Sequence, residues 1–393
     1  MTKIRRIYFL IAQMALFGCR KLYNPGVVSS PNNYLVVEGV INSGDTTIIR
    51  LSRTVNVSGK TTVNPEANAK VTVESDQGTS YNLLAAGAGR YAALLNIDNK
   101  HSYRLRVTTS DGRRYLSDLV AVKATPPIDT LGYTVSGDGM SLFTKAHDAT
   151  NSTRYYRWDF VETYIYVSQI NTYFKFDKSA SIYQSQEVVS RPLSEQIHTC
   201  YVTDSSTNVI LNSSASITQD IINNNVIAHI PASSEKLYYR YSINVKQYAL
   251  TADAYQFWLR MKKNTEQLGG IFDAQPSQLN SNIHCLSNPA EPVIGYVSAC
   301  TVSQKRIFID NAQLPGWIAP PPTCKPYIIN WLEGEGIPNY LSAFIAIPVG
   351  PVAAGYDAEK KDSTYVVQVG DYDCVDCRYH NPNSTTIAPA FWK

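Results

Sequence analysis

Seven cysteines carry most of the reactive chemistry in this 393-residue sequence, and their positions divide them into two kinds. Cys19 closes the stretch 1–18, in which Lys3, Arg5 and Arg6 precede an apolar run from Ile7 to Phe17 broken only by Gln13. Basic residues, then about seven to fifteen apolar ones, then a small residue is the grammar of an export signal. Leu16-Phe17-Gly18-Cys19 resembles the bacterial lipobox, whose cysteine thiol is acylated before the peptide ahead of it is cut. On that reading residues 1–18 are a lipoprotein signal peptide, Cys19 is the lipidation site, and the mature chain starts there. Phe17 is bulkier than the residue usual at its place.

The other six cysteines are Cys200, Cys285, Cys300, Cys324, Cys374 and Cys377. An exported chain folds in an oxidising compartment, so six cysteines read as up to three disulfides among about fifteen possible connectivities. Cys285 with Cys300 is the pairing expected here, because each sits beside a strand of one local hairpin. Cys374-Val-Asp-Cys377 would also fit a redox or metal pair. A lone C-x-x-C without a second pair or a βαβ pattern favours a structural disulfide.

Other constellations are weighed in the same way. His101, His147, His198, His229, His284 and His380 are scattered, and none has the H-x-x-x-H spacing that sets two ligands on one helix face. No G-x-S-x-G nucleophile turn and no phosphate-cradling glycine loop occur. Asp159 and Glu162 lie three apart on a strand, hence on opposite faces, and read as solvated charges. Asp371, Asp373 and Asp376 crowd the terminus and offer oxygens to calcium, but without the twelve-residue loop grammar of an EF-hand. No metal and no cofactor is expected, and no catalytic residue is assigned. Trp317 and Trp331 are candidate stacking platforms for a glycan, while Phe391 and Trp392 read as a terminal tuck into the core.

Elements must position these residues, and the composition says which kind. Twenty-seven tyrosines with many Val, Ile and Thr favour pleated, half-buried strands. The balance of 35 Lys+Arg against 32 Asp+Glu, with no basic block after the signal, argues against nucleic acid as a partner. No later stretch has about eighteen consecutive apolar residues, so the anchor at Cys19 is the only membrane attachment expected. Residues 19–33, with Pro25, Gly26 and Pro31, form a polar tether. Short alternating runs from Tyr34 to Val122, separated by turns such as Asp76-Gln-Gly78 and Ser110-Asp-Gly112, predict an immunoglobulin-like β-sandwich over 34–125. It lacks the Cys…Trp…Cys core of true immunoglobulin domains.

Thr125-Pro126-Pro127 breaks the pattern and marks the domain boundary, since neither proline can donate to a ladder. Residues 126–393 are expected to form a larger β-rich domain. Its longest strand, Tyr155 to Tyr166, puts Tyr156, Trp158 and Phe160 on one face. One helix is predicted, capped by Thr251 and ended by Gly269-Gly270, with Tyr255, Trp258 and Leu259 as its apolar stripe.

Several segments together resemble the lipoprotein family numbered 4249 among the domains of unknown function, found in Bacteroidota. They are Tyr34-Leu-Val-Val-Glu-Gly39, Pro126-Pro-Ile-Asp129, Arg157 to Tyr164, Tyr241 to Gln247, Gly269 to Asp273, Gly295-Tyr296, and the end Cys374 to Arg378 with Phe391-Trp392. The resemblance implies an outer-membrane lipoprotein, often encoded beside a TonB-dependent transporter, and supplies no catalytic residues. The expected function is thus a non-enzymatic lipoprotein accessory to such a transporter or to its ligand capture. A glycan- or peptide-binding module and a hydrolase assembled from distant residues are the alternatives. Arg20-Lys21 after the cysteine, where a surface-export signal would be acidic, tilts the expectation toward the periplasmic leaflet of the outer membrane.

Overall fold

The computed structural model describes residues 33–55, 64–176, 188–266, 280–332, 346–350, 353–357 and 362–392. Cys19, the tether up to residue 32 and the segment Gly269 to Asp273 lie outside them. The chain is mainly β.

Alternation does what the sequence predicts in the first unit: Leu35, Val37, Ile49, Leu51, Val71, Val73, Tyr103, Leu105 and Val107 all point inward and are buried. Their strands form one ladder that closes on itself. In order these are Ser102–Thr108, Lys70–Ser75, Ser80–Ala85, Arg90–Leu94, Thr46–Arg53, Leu35–Asn42, Ser298–Cys300 and Val120–Lys123, the last pairing back with the first. Two strands make the corners. Ser80 to Leu83 pair with one neighbour and Leu84 and Ala85 with another, while Val120 and Ala121 pair on one side and Val122 and Lys123 on the other. Closure satisfies backbone groups that an edge would leave open. Gly89 (φ +69°) allows the 85–89 turn to pass close to its neighbour, since a Cβ there would lie 2.3 Å from the Leu51 carbonyl oxygen.

The closing strand is the first departure from expectation. Residues 283–300 were assigned to the second unit, yet Ile283–Cys285 pairs with Arg114–Ser117, and Ile294–Gly295 and Ser298–Cys300 pair in parallel with Leu35–Asn42. Val293, Val297 and Ala299 join the same core. The chain therefore returns across the boundary at Pro126.

In the second unit a six-stranded sheet runs Val302–Asp310, Arg240–Leu250, Tyr155–Val167, Thr199–Ser205 and Ser384–Thr385, with Ile210–Ser213 also on Tyr155–Val167. A three-stranded sheet, Ile128–Ser136, Gly139–Asp148 and Asp220–Pro231, shares its core. Tyr156, Trp158, Tyr164, Tyr241 and Val245 meet Met140, Leu142, Ile222 and Ile230 there. Gly139–Asp148, the central strand of the smaller sheet, has no counterpart among the predicted strands. Phe143 on its outward face and Thr144 on its inward face blur the alternation of Met140, Leu142 and Ala146.

The helix is Ala252–Glu266, and the Thr251 hydroxyl accepts from the Ala254 N–H at 3.2 Å as the cap. Its buried residues are Ala254 and Phe257 rather than the expected Tyr255–Trp258–Leu259 stripe. Trp258 is half-buried and stacks on the Arg157 guanidinium at 4.3 Å, with Tyr248 on that guanidinium at 4.7 Å. Arg157 thereby fastens the helix to the large sheet.

Candidate functional site

The cysteines resolve into Cys200–Cys377 and Cys324–Cys374, with Cys285 and Cys300 buried as free thiols. The expected Cys285–Cys300 bridge is corrected, because the local hairpin it assumed does not form. Cys285 lies on a strand paired with Arg114–Ser117, and Cys300 on one paired with Leu35–Asn42 and Val120–Lys123. Each thiol has its own surroundings: the Asn288 N–H donates to Cys285 Sγ at 3.3 Å, and burial pushes the Cys300 thiol up to about 12.

The acidic terminus does not converge as three carboxylates. Asp371 and Asp373 are exposed and near Cys374, whose sulfur is in a disulfide. Asp376 is buried and taken by Arg378, whose Nε donates at 2.8 Å and Nη2 at 2.5 Å. Trp317 is buried, 7% exposed, and its indole N–H donates to the Ser234 carbonyl at 3.1 Å. It is core, not a stacking platform. The side chain of Trp331 lies outside those described. Phe391 and Trp392 fold onto the large sheet: Trp392 meets Tyr201 and Phe308 edge-on at 5.2 and 5.7 Å, and Arg306 stacks on Phe391 at 3.6 Å.

The six histidines stay apart, each with a local partner. His101 faces Asp76 at 3.2 Å, His147 Asp129 at 2.7 Å, His284 Asp118 at 3.1 Å and His380 Glu235 at 2.6 Å, while His198 and His229 meet Ser168 and Ser141.

What the structure does bring together is a set around Glu162. Asp159 and Glu162 point to opposite faces as expected, but Glu162 is not solvated: it is 5% exposed. Lys236 Nζ donates to its Oε1 at 2.5 Å and the Tyr241 hydroxyl to its Oε2 at 2.7 Å. Burial and the adjacent carboxylate hold the Tyr241 phenol far above its usual range, so it remains a donor. Glu162 is directly cross-strand from Asp204 and therefore shares its face.

Glu162, Asp204 and Lys236 line a cleft of about 500 Å³ between the two sheets, with Asn225 and His229 on its other wall, and Tyr241 holds Glu162 from behind. The helix end fixes its rim, since Glu266 Oε1 accepts from the Val209 N–H at 2.6 Å and Lys262 Nζ donates to the Val209 carbonyl at 2.9 Å. Phe160, Ile210 and Ile230 give apolar lining between the polar groups. The cleft thus sets charged and polar groups beside apolar area. Lys236 and Tyr241 lie 74 and 79 residues from Glu162 in sequence. Spacing alone carries no signal for such a cluster.

A mainly β chain with a closed first ladder and a polar cleft in its second unit is the class that fold and site define. The family model described as "Domain of unknown function (DUF4249)" matches residues 20–306, and the chain belongs to that family. No curated protein matches its sequence. Among solved structures, the chicken interferon gamma receptor alpha chain is 10% identical over 56% of this chain and 90% of its own, with a TM-score of 0.15. The FN1–FN3 domains of chicken CNTN1 are 12% identical over 55% and 62%, with a TM-score of 0.17. At such scores neither likeness carries an argument here.

Proposed function

We propose that the protein is a non-enzymatic lipoprotein of the outer membrane, held by a lipid on Cys19, that assists a TonB-dependent transporter or its ligand capture. The observation that carries this reading is the pair of disulfides Cys200–Cys377 and Cys324–Cys374, which calls for an oxidising compartment and so agrees with the export signal. In this reading the first unit is an immunoglobulin-like sandwich that serves as a stalk, and the unit after Pro126 does the binding. The periplasmic leaflet is favoured by Arg20-Lys21.

The test is a pull-down from native membranes in mild detergent, comparing the wild type with Cys19→Ala by mass spectrometry. A TonB-dependent transporter that follows the wild type supports the reading. A wild type that comes out alone sinks the transporter role.

The cleft beside Glu162 favours a second reading, a module that binds a glycan or an extended peptide. For a hydrolase using this cleft, Glu162 and Asp204 are adjacent carboxylates on neighbouring strands, with Glu266 at the rim. Glu162 has both oxygens engaged by Lys236 and Tyr241, which suits a fixed acceptor better than a proton carrier.

A further inference from the structure

The two ends of the first unit differ in charge and in what leaves them. Leu35 pairs with Arg53, so the tether joins the ladder at that end. The ladder registers place four segments there. The Leu51 N–H donates to the Gly89 carbonyl at 2.8 Å, which brings in the turn 85–89. Lys70 pairs with Thr108 and Thr108 with Arg114, which brings in the turn 109–113. The Leu286 N–H donates to the Arg114 carbonyl at 2.7 Å, which adds the loop after Cys285.

This end is basic, and it carries exposed apolar side chains, as the opposite end also does at Leu94 and Leu119. Leu84 is 73% exposed, Leu286 44% and Val55 37%, and Ala85, Ala86, Gly87 and Ala88 are exposed beside them. Lys70, Arg90 and Arg114 are exposed at the same end. The acids of the turns and loops are engaged: Glu66 holds Arg53 at 2.6 Å, Glu291 holds Arg113 at 3.3 Å and accepts from the Tyr115 hydroxyl at 2.7 Å, and Asp111 holds Arg113 at 3.1 Å, while exposed Glu38 lies cross-strand from exposed Arg50.

The opposite end carries Asp45, Asp76, Asp98 and Asp118, all exposed, in its turns. It is also where the chain leaves for the second unit. Lys123 pairs with Cys300, Cys300 with Asn42, and the Thr125 N–H donates to Thr301 Oγ1 at 2.8 Å.

We propose that the tether end of the first unit rests on an anionic lipid surface, with its acidic end holding the second unit away from that surface. The proposal rests on the lipid-anchor reading of Cys19. Two observations select lipid as the occupant. The chain between Cys19 and Asn33 joins the fold at this end and reaches at most roughly 50 Å when extended, so this is the end of the unit nearest the anchor along the chain. The charge also matches, with exposed basic side chains at this end facing anionic headgroups and the carboxylates of the opposite end turned away.

The test uses the mature chain from Arg20 to Lys393, which lacks only the signal and the anchor cysteine, so that association does not depend on acylation. Co-flotation is measured with vesicles of phosphatidylethanolamine containing a minority of phosphatidylglycerol, and with phosphatidylcholine vesicles. The chain is expected to float with the anionic vesicles, less so as salt rises. Lys70→Glu, Arg90→Glu and Arg114→Glu should each weaken association by about fivefold or more, and Lys100→Glu at the opposite end should not. No association with anionic vesicles, equal association with phosphatidylcholine, or an equal loss in Lys100→Glu overturns the proposal. The anchor reading fails separately, if the N-terminal peptide of the exported protein carries no acyl chain by mass spectrometry.

Discussion

A carboxylate on a strand is usually solvated, and Glu162 is the residue where that expectation fails. It is buried because two donors from other elements meet it, and Lys236 retains 31% side-chain exposure, so the pair is partly screened. Glu162→Gln keeps the acceptor for Tyr241 and removes the charge opposite Lys236. It is expected to lower stability by about 1–2 kcal/mol, read as a lower urea midpoint at unchanged m-value. An unchanged midpoint would mean that Lys236 simply turns to water. The thiols give a second prediction. With the Cys300 thiol buried and pushed up to about 12, and Cys285 also buried, the folded protein should resist iodoacetamide near neutral pH. Urea without reductant should then expose these two thiols for alkylation, and non-reducing peptide maps should join Cys200 to Cys377 and Cys324 to Cys374. Labelling of the folded protein at either thiol would contradict its burial. Neither the disulfide partners nor the Glu162 cluster was legible in the sequence, because their members lie on different elements and meet only through long-range tertiary contacts.

The C-terminal segment acts as a strap on the large sheet. Ser384–Thr385 pairs with Thr199–Ser205, Cys377 is bonded to Cys200 in that same strand, and Trp392 reaches Phe308 on the far edge strand. A loop of 177 residues closed by one bond restricts the unfolded chain strongly. Cys377→Ser is expected to cost about 2–4 kcal/mol and to raise hydrogen exchange first in Thr199–Ser205. Protection lost uniformly across the sheet would argue against a strap. Just before that strand, His198 is held below its usual range by burial. The unfolded chain therefore binds the proton more readily, so this contribution is present above the unfolded pKa of about 6.5 and is lost as pH falls toward the lower folded value. Stability should fall from pH 7 to pH 5, and His198→Asn should flatten that slope; an unchanged slope would remove His198 as a cause. Strands with clean alternation, such as Leu35–Asn42 and Ser102–Thr108, were legible because one face is buried and the other is not. Arg114–Ser117 and Val120–Lys123 nearly adjoin in sequence, but the chain breaks at Asp118–Leu119 so that Val120–Lys123 can turn the corner. Pattern alone does not announce such a change of partner.

At the scale of the molecule the decisive feature is the return of residues 283–300 to the first unit. These strands are two or three residues long, too short to be recognised from alternation, yet they close the ladder and cover Leu35, Val37 and Ile41. They are also flanked in the chain by the helix Ala252–Glu266 and the strand Val302–Asp310, both of which belong to the second unit. Further ties cross the same junction. The Ala249 N–H donates to Thr125 Oγ1 at 3.0 Å, Gln247 Nε2 to the Pro126 carbonyl at 2.9 Å, and Phe257 packs on Tyr296 at 5.4 Å. Unfolding the second unit would therefore pull the closing strands from the first and open an edge along Leu35–Asn42, with its apolar residues exposed. The two units should then melt together. Calorimetry is expected to give one transition whose van't Hoff and calorimetric enthalpies agree, although a boundary at Pro126 would suggest two. A fragment of residues 34–125 should fail to fold alone, and adding a peptide of residues 281–301 should restore strand content by supplying the missing edge. Two resolved transitions, or a fragment 34–125 that folds unaided, would show that the returning strands decorate the first unit instead of completing it.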